Sequence, residues 1–133
     1  MSPRRILVVD DEPHMLQVLR MFLERAGYRV DTAANGQAAL ASILRSPPDL
    51  LLTDIEMPLM TGLQLCEELD KQFPERAFPV IVMTSLADRE HRRSVESMHD
   101  TIFLEKPLSM RLLTARLTQI FSKPRNSKVK PDA

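Results

Sequence analysis

The fold is decided by the stretch from residue 50 to residue 58, Leu50-Leu51-Leu52-Thr53-Asp54-Ile55-Glu56-Met57-Pro58. Its first four residues are apolar or β-branched and lead directly into a carboxylate, after which the Met-Pro pair blocks a regular continuation. A short apolar run that ends in a turn signal is typical of a strand buried on both faces of a sheet. We therefore predict that Asp54 ends a central strand at the carboxyl edge of the sheet, where open α/β sheets place their binding sites.

Strand and helix patterns alternate along the rest of the chain. Strand patterns lie at residues 6–9, 28–33, 50–54, 78–83 and 101–104, of which 28–33 shows only partial alternation. Amphipathic helices begin at Pro13, after an Asn35-Gly36 turn, at Thr61-Gly62, at Asp88 and after Ser109. Five strands and five helices in turn predict an α/β fold in which right-handed crossovers form a parallel sheet with helices on both faces. The last helix is expected to turn its apolar residues inward, namely Leu112, Leu113, Leu117, Ile120 and Phe121.

The composition indicates one soluble domain without a nucleic-acid or membrane role. The 133 residues include 18 basic and 18 acidic ones, so no net field draws the chain to nucleic acid or lipid. There is no membrane-length apolar run and no signal-peptide pattern. The single cysteine, Cys66, cannot form an internal disulfide, which favours a reducing cytoplasm. We expect this side chain to be a small buried hydrophobe.

The composition changes near Ser122. Residues 123–133 are rich in Lys, Pro, Asn and Ser and almost free of apolar side chains. Such a segment is typical of a solvated tail or of a linker. We therefore predict a folded domain over residues 1–122, followed by a basic tail or linker stub over residues 123–133.

Four predicted strand ends bring polar side chains to one edge of the sheet. They are Asp10-Asp11, Asp54, Thr84-Ser85 and Lys106. Three carboxylates at one place repel and raise each other's pKa unless a cation lies between them. Oxygen ligands with no His or Cys beside them favour Mg²⁺, with Mn²⁺ also suitable, and disfavour zinc.

Lys106 and Thr84 complete a set of groups suited to phosphoryl transfer. Asp54 would attack, a metal and Lys106 would neutralise phosphoryl oxygens, and Thr84 would donate a hydrogen bond to another. Each piece also has a simpler interpretation. The Asp10-Asp11 pair would cap the first helix and complement its dipole, Thr84 would be a strand-end hydroxyl, and Lys106 would form a salt bridge. The order and spacing of all four segments together favour the phosphoryl site.

These motifs resemble the receiver domain of two-component response regulators over about residues 4–121. Residues 8–13, Val-Val-Asp-Asp-Glu-Pro, are similar to the family's acidic opening, and residues 54–58 with Gly62 are similar to its phosphoacceptor loop. Thr84-Ser85 and Lys106-Pro107 match the other signature positions. The resemblance implies a flavodoxin-like (βα)5 three-layer sandwich whose parallel sheet has the strand order 2-1-3-4-5.

The resemblance also implies a role for each site residue. Asp54 is the phosphoacceptor, while Lys106 and Thr84 hold the phosphoryl group. The implied Mg²⁺ ligands are Asp10 (directly or through water), Asp11, Asp54 and the backbone carbonyl of Glu56. The Lys106-Pro107 peptide bond is expected to be cis.

The function implied by the resemblance is a phosphorylation-dependent signalling switch, and not an enzyme that turns over a substrate. The phosphodonor would be a histidine kinase or a His-containing phosphotransfer protein. Phosphorylation would draw the Thr84 hydroxyl inward and free space for Phe103, which changes the surface of the fourth helix, the fifth strand and the fifth helix. That surface would meet a downstream protein, a missing effector domain or a second copy. From periodicity alone, Phe103 is an ordinary core residue.

Three features depart from the family pattern. Phe103 lacks the hydroxyl of the tyrosine that is frequent at this position. Glu56 is a charged residue two positions after the phosphoacceptor, and we expect it to influence the hydrolysis of the acylphosphate. His99-Asp100 replaces a common Gly-Ala, next to a strongly charged predicted helix over 88–98. That helix is either a solvated face or a polar surface for a partner.

Two other classes of function remain as alternatives. The first is an adaptor that keeps the fold without the chemistry, against which the complete set of site residues argues. The second is an aspartate-nucleophile phosphatase of the haloacid-dehalogenase type, with Glu56 in place of its second aspartate. Met57-Pro58 and Asp10-Asp11 fit a receiver better. If the chain is a receiver, it is either a stand-alone switch or a domain separated from its effector.

Overall fold

The computed structural model describes residues 3–57, 59–84 and 101–122. The strands are β1 (Arg5–Val9), β2 (Arg29–Ala33), β3 (Leu50–Asp54), β4 (Val80–Thr84) and β5 (Thr101–Glu105). The helices within these ranges are α1 (Pro13–Arg25), α2 (Gly36–Arg45), α3 (Gly62–Gln72) and α4 (Met110–Phe121). The predicted helix over 88–98, the His99-Asp100 pair and the tail over 123–133 lie outside the described residues, and α4 is the helix predicted as the fifth.

The five strands form one parallel sheet in the order β2-β1-β3-β4-β5. This order confirms the predicted flavodoxin-like topology. All five residues of β3 are buried, because this strand lies at the centre of the sheet between β1 and β4. The parallel arrangement directs the carboxyl ends of all the strands to the same edge.

Two hydrophobic cores lie on opposite faces of the sheet, because successive strand residues alternate between the faces. One core joins inner-strand residues such as Leu7, Leu51 and Val80 to α2 and α3. The other joins Ile6, Leu52 and further inner-strand residues to α1 and α4. Burial on both faces explains why the inner strands are continuously apolar rather than alternating.

The helix ends explain one difference between prediction and structure. Asn35-Gly36, predicted as a turn, is the N-cap and first residue of α2, where the Asn35 side chain accepts a hydrogen bond from the Ala38 N–H. A cap side chain satisfies a backbone donor that has no partner inside the helix, so Asn-Gly serves here as a helix start. Thr61 and Gln64 form a capping box at the start of α3.

The inward face of α4 differs from the prediction at one residue. Leu113 and Leu117 are fully buried, and Ile120 and Phe121 pack against the same core. Leu112, which we expected to be inward, is 65% exposed. Residues 113 and 117 are four apart and define the buried stripe, so the preceding residue points toward solvent.

The connection between α3 and β4 contains a buried charge that the sequence pattern does not reveal. The Arg76 side chain is 1% exposed and donates to Asp70 Oδ1 at 2.8 Å. Its guanidinium also lies over the Phe78 ring. Cys66 is buried nearby as predicted, and burial raises the pKa of its thiol to about 12. No helix among residues 3–57, 59–84 and 101–122 has the length and apolarity needed to span a membrane.

Candidate functional site

Two neighbouring strands deliver three carboxylates to one point of the sheet edge. Asp54 is the last residue of β3, and Asp10 follows β1 directly; both are almost completely buried, while the adjacent Asp11 is exposed. One carboxylate oxygen from each of the three lies within 4.8 Å of the others. β1 and β3 are hydrogen-bonded neighbours, so the strand order itself brings these side chains together.

Backbone donors orient two of the carboxylates. Oδ1 of Asp54 accepts a hydrogen bond of 2.8 Å from the N–H of Ile55. Oδ1 of Asp10 accepts one of 3.0 Å from the N–H of Glu12. The N-cap residue of α1 is Glu12, which makes no side-chain cap bond, and its backbone N–H is the group bound by the Asp10 carboxylate.

The electrostatics of the cluster favour a cation. Burial raises the pKa of Asp10 above its ordinary value of 3.8, the hydrogen bond from Glu12 opposes this rise, and the charge of Asp54 adds to it. The three side chains together offer oxygen ligands, and one of them is open to solvent. This donor set fits a hard divalent cation that keeps several waters, such as Mg²⁺ or Mn²⁺.

Lys106 brings a positive charge to the cluster. Its Nζ lies 2.9 Å from Oδ1 of Asp54, and its backbone N–H donates to the carbonyl oxygen of Thr84 at 2.6 Å. The Lys106-Pro107 peptide bond is cis. Thr84 is the last residue of β4 and is buried, so its hydroxyl belongs to the same edge as Asp54.

Glycine at position 62 is required by the path of the chain beneath Asp54. The Gly62 N–H donates to the carbonyl of Ile55 at 2.9 Å. A Cβ at Gly62 would overlap the Asp54 carbonyl oxygen and would lie 2.9 Å from the Ile55 Cα. The loop that follows the central strand is therefore folded back directly under Asp54. The family resemblance placed this glycine in a motif, but only the structure shows the contact.

A second close approach holds the same loop against α2. The Gly36 N–H donates to the carbonyl of Met60 at 3.2 Å, and a Cβ at Gly36 would lie 2.6 Å from that oxygen. Between the two contacts, Leu59 has a left-handed backbone with φ of 69° and a side chain that is 73% exposed. Sequence reasoning missed this arrangement, since Asn-Gly was interpreted as a local turn and leucine rarely adopts a positive φ.

Two further residues singled out by sequence lie at the margin of the site. Glu56 is exposed, two residues after the strand that carries Asp54. Phe103 is half-buried in the middle of β5 and packs against the core on the α2–α3 face. Its register partner in β4 is Val82, two residues before Thr84. Ser85 lies outside the described residues.

The chain matches a family model and several curated relatives. The model described as "Response regulator receiver domain" matches residues 6–118. Transcriptional regulatory protein ResD of Bacillus subtilis is 34% identical over 113 residues, which are 85% of this chain and 46% of ResD. Response regulator PleD of Caulobacter vibrioides is 36% identical over 116 residues, which are 87% of this chain and 26% of PleD. The chain thus spans half or less of the length of these two relatives.

Solved structures share the fold over nearly the whole chain. The signal receiver domain of a signal transduction histidine kinase from Syntrophus aciditrophicus has a TM-score of 0.78 and 34% identity, covering 98% of this chain and 95% of that chain. The chemotaxis response regulator CheY4 of Vibrio cholerae has a TM-score of 0.80 and 28% identity, covering 90% of this chain and 99% of that chain. This chain therefore belongs to the response regulator receiver domain family.

Proposed function

We propose that this chain is a phosphorylation-dependent switch of a two-component or phosphorelay system in the cytoplasm, and that Asp54 accepts the phosphoryl group. The observation that carries the proposal is the 2.9 Å contact between Lys106 Nζ and Asp54 Oδ1 beside two further carboxylates. A cation on one side and an acidic, metal-binding cluster on the other are the groups that phosphoryl transfer to a carboxylate needs.

The transfer exchanges one bond to phosphorus for another. A carboxylate oxygen of Asp54 attacks the phosphorus of a phosphohistidine, the phosphorus–nitrogen bond breaks, and the imidazole leaves with a proton from solvent. Lys106 and the Ile55 N–H already bind Oδ1, so we infer that Oδ2 is the attacking oxygen. Mg²⁺ at Asp10, Asp11, Asp54 and the Glu56 carbonyl would supply charge neutralisation of the phosphoryl oxygens.

Three residues would then report and limit the phosphorylated state. Thr84 would donate its hydroxyl to the phosphoryl group, and Phe103 would move toward the space that Thr84 leaves. The half-buried position of Phe103 supports a side chain that can change its packing. Glu56 is exposed next to the acceptor, which supports a role in how fast water removes the phosphoryl group.

The partners follow from this chemistry. The donor would be a histidine kinase or a His-containing phosphotransfer protein. The output would use the surface of the predicted helix over 88–98, β5 and α4. This surface would bind a separate protein, an effector domain beyond the linker at 123–133, or a second copy. Residues 1–122 would form the receiver unit in each case.

The deciding experiment measures intact mass after incubation with Mg²⁺ and acetyl phosphate. We expect addition of one phosphoryl group to the wild type and to the control Glu67→Gln, whose carboxylate is exposed on α3, but not to Asp54→Asn. A wild type that gains no mass would be an adaptor without the chemistry. Steady release of phosphate over many turnovers would identify a hydrolase, and either result would overturn the switch.

A further inference from the structure

The outer side of β2 is an open strand edge in the described part of the chain. β2 is terminal in the strand order and pairs on one side with β1. The Arg29 N–H donates to the Arg4 carbonyl, and the Ala33 carbonyl accepts from the Asp10 N–H, so alternate residues from Arg29 face β1. The N–H and C=O groups of Val30 and Thr32 therefore point away from the sheet.

There is room for another strand along this edge. An open cavity of about 640 Å³ runs beside Asp31, Thr32 and Ala33. Along most of its α2 wall lie the small side chains Ala38, Ala41 and Ser42, and Arg45 lines the C-terminal end of that wall. Small residues on the flanking helix leave the backbone groups of β2 accessible to an approaching strand.

The charges of β2 are complementary to a second copy of itself. Arg29 and Asp31 flank Val30 and are exposed. In an antiparallel pair with Val30 opposite Val30, each Arg29 lies opposite the Asp31 of the second copy. The outward N–H and C=O groups of the two Val30 residues then bond reciprocally. The charged residues form the closely spaced, non-hydrogen-bonded pairs on either side.

Neighbouring registers lose this match. In a pairing centred on Asp31, the two Asp31 carboxylates lie opposite each other. The backbone N–H and C=O groups of Asp31 face β1, so they cannot bond across the interface. Pairing centred on Thr32 keeps outward backbone groups but places Asp31 opposite Ala33. The register centred on Val30 alone satisfies both the backbone direction and the charges.

We infer that the outer edge of β2 is a homodimer contact, through which two copies pair antiparallel and continue their sheets into each other. The contact lies at the opposite end of the sheet from β5 and does not involve Asp54, so its test is independent of the proposed phosphorylation. Charged residues on an edge strand also serve to prevent pairing, and in that case this chain stays monomeric through β2.

The test exploits charge complementarity between two variants. Arg29→Asp places two carboxylates on β2, and Asp31→Lys places two cations there. Like charges then face each other in each variant alone, and we expect self-association to weaken at least about tenfold. An equimolar mixture restores opposite charges at both positions, so native mass spectrometry and sedimentation should find heterodimers at the wild-type level.

Two further variants keep the test decisive. Lys71→Asp makes the same charge change on the exposed surface of α3 and should associate like the wild type. Thr32→Pro removes an outward N–H but keeps the hydrogen bonds between β2 and β1, so this variant should also be monomeric. It provides an independent test if Asp31→Lys, which loses the ion pair with Arg5, does not fold. A wild type that stays monomeric at high concentration, or a mixture that forms no heterodimer, would overturn the inference.

Discussion

Lys106 is bonded to two different strands at once. Its Nζ lies 2.9 Å from Oδ1 of Asp54 at the end of β3, while its backbone N–H donates to the carbonyl of Thr84 at the end of β4. The short loop after β5 is thereby held across the carboxyl edge of the sheet. A cation placed this way is already positioned at the Asp54 carboxylate, so the proposed phosphoryl transfer would require little reorganisation of it.

Removal of this charge should slow phosphorylation without preventing it. In Lys106→Gln we expect phosphoryl addition from acetyl phosphate to slow by about 100-fold, because one preorganised donor at the reacting oxygens is lost. The rate is measured by intact mass over time at saturating Mg²⁺. Lys71→Gln, on the exposed surface of α3, is the matched control and should react like the wild type. A wild-type rate in Lys106→Gln would contradict the role given to Lys106.

The raised pKa of Asp10 makes a prediction about metal-free stability. Burial raises this pKa above 3.8, so the folded state holds the proton more tightly than the unfolded chain. The ionised group therefore lowers the free energy of unfolding at neutral pH, and this cost disappears as the pH falls through the folded-state pKa toward 3.8. With a chelator present, Asp10→Asn should be more stable than the wild type by about 1 kcal/mol at pH 7, with the difference shrinking in acid.

Urea unfolding with and without Mg²⁺ checks this prediction. The wild type should gain stability as Mg²⁺ is added, because the ion binds the folded state, whereas Asp10→Asn should gain less. Glu67→Gln, an exposed carboxylate on α3, should follow the wild type in both conditions. An Asp10→Asn variant that is less stable than the wild type in the chelator would contradict the prediction.

The close approach under Asp54 predicts a steric cost at Gly62. Gly62→Ala should lower the free energy of unfolding by about 2–3 kcal/mol, because the added Cβ overlaps backbone atoms that cannot rotate away. The clash outweighs the helix preference of alanine over glycine, which is about 1 kcal/mol. Gly27→Ala is the comparison, since its Cβ meets nothing within 4 Å and only its positive φ opposes the change. If both variants lose the same free energy of unfolding, the backbone under Asp54 can move aside to accommodate the added Cβ, which contradicts the prediction.

The left-handed backbone at Leu59 predicts a stabilising substitution. Leu59→Gly should raise the free energy of unfolding by up to about 1 kcal/mol, because glycine adopts a positive φ without steric cost and the exposed side chain loses little packing. Leu59→Ala keeps the same backbone conflict and should stay within about 0.5 kcal/mol of the wild type. Chemical denaturation of the three proteins measures both effects. A loss of stability in Leu59→Gly would show that the leucine side chain makes a stabilising contact.

Much of the fold could be predicted because its signals are local. The runs at 6–9, 50–52 and 78–83 are continuously apolar, which indicates burial on both faces and so a parallel sheet covered by helices. The predictions were wrong where one local sequence pattern is compatible with two different structures. Asn35-Gly36 is as typical of a turn as of a helix cap, and Leu112 differs from Leu113 only by the rotation of one residue along α4.

The sequence by itself determined the set of residues at the candidate site: a carboxylate, Asp54, at the end of a buried strand, with Asp10-Asp11, Thr84 and Lys106 at the ends of others. Strand order is enough to bring such groups to one edge, since parallel strands end together. Only the tertiary structure decided the contacts: Lys106 on Oδ1 of Asp54 and Gly62 beneath it. The distances in these contacts depend on how the strands and loops pack, which local periodicity does not encode.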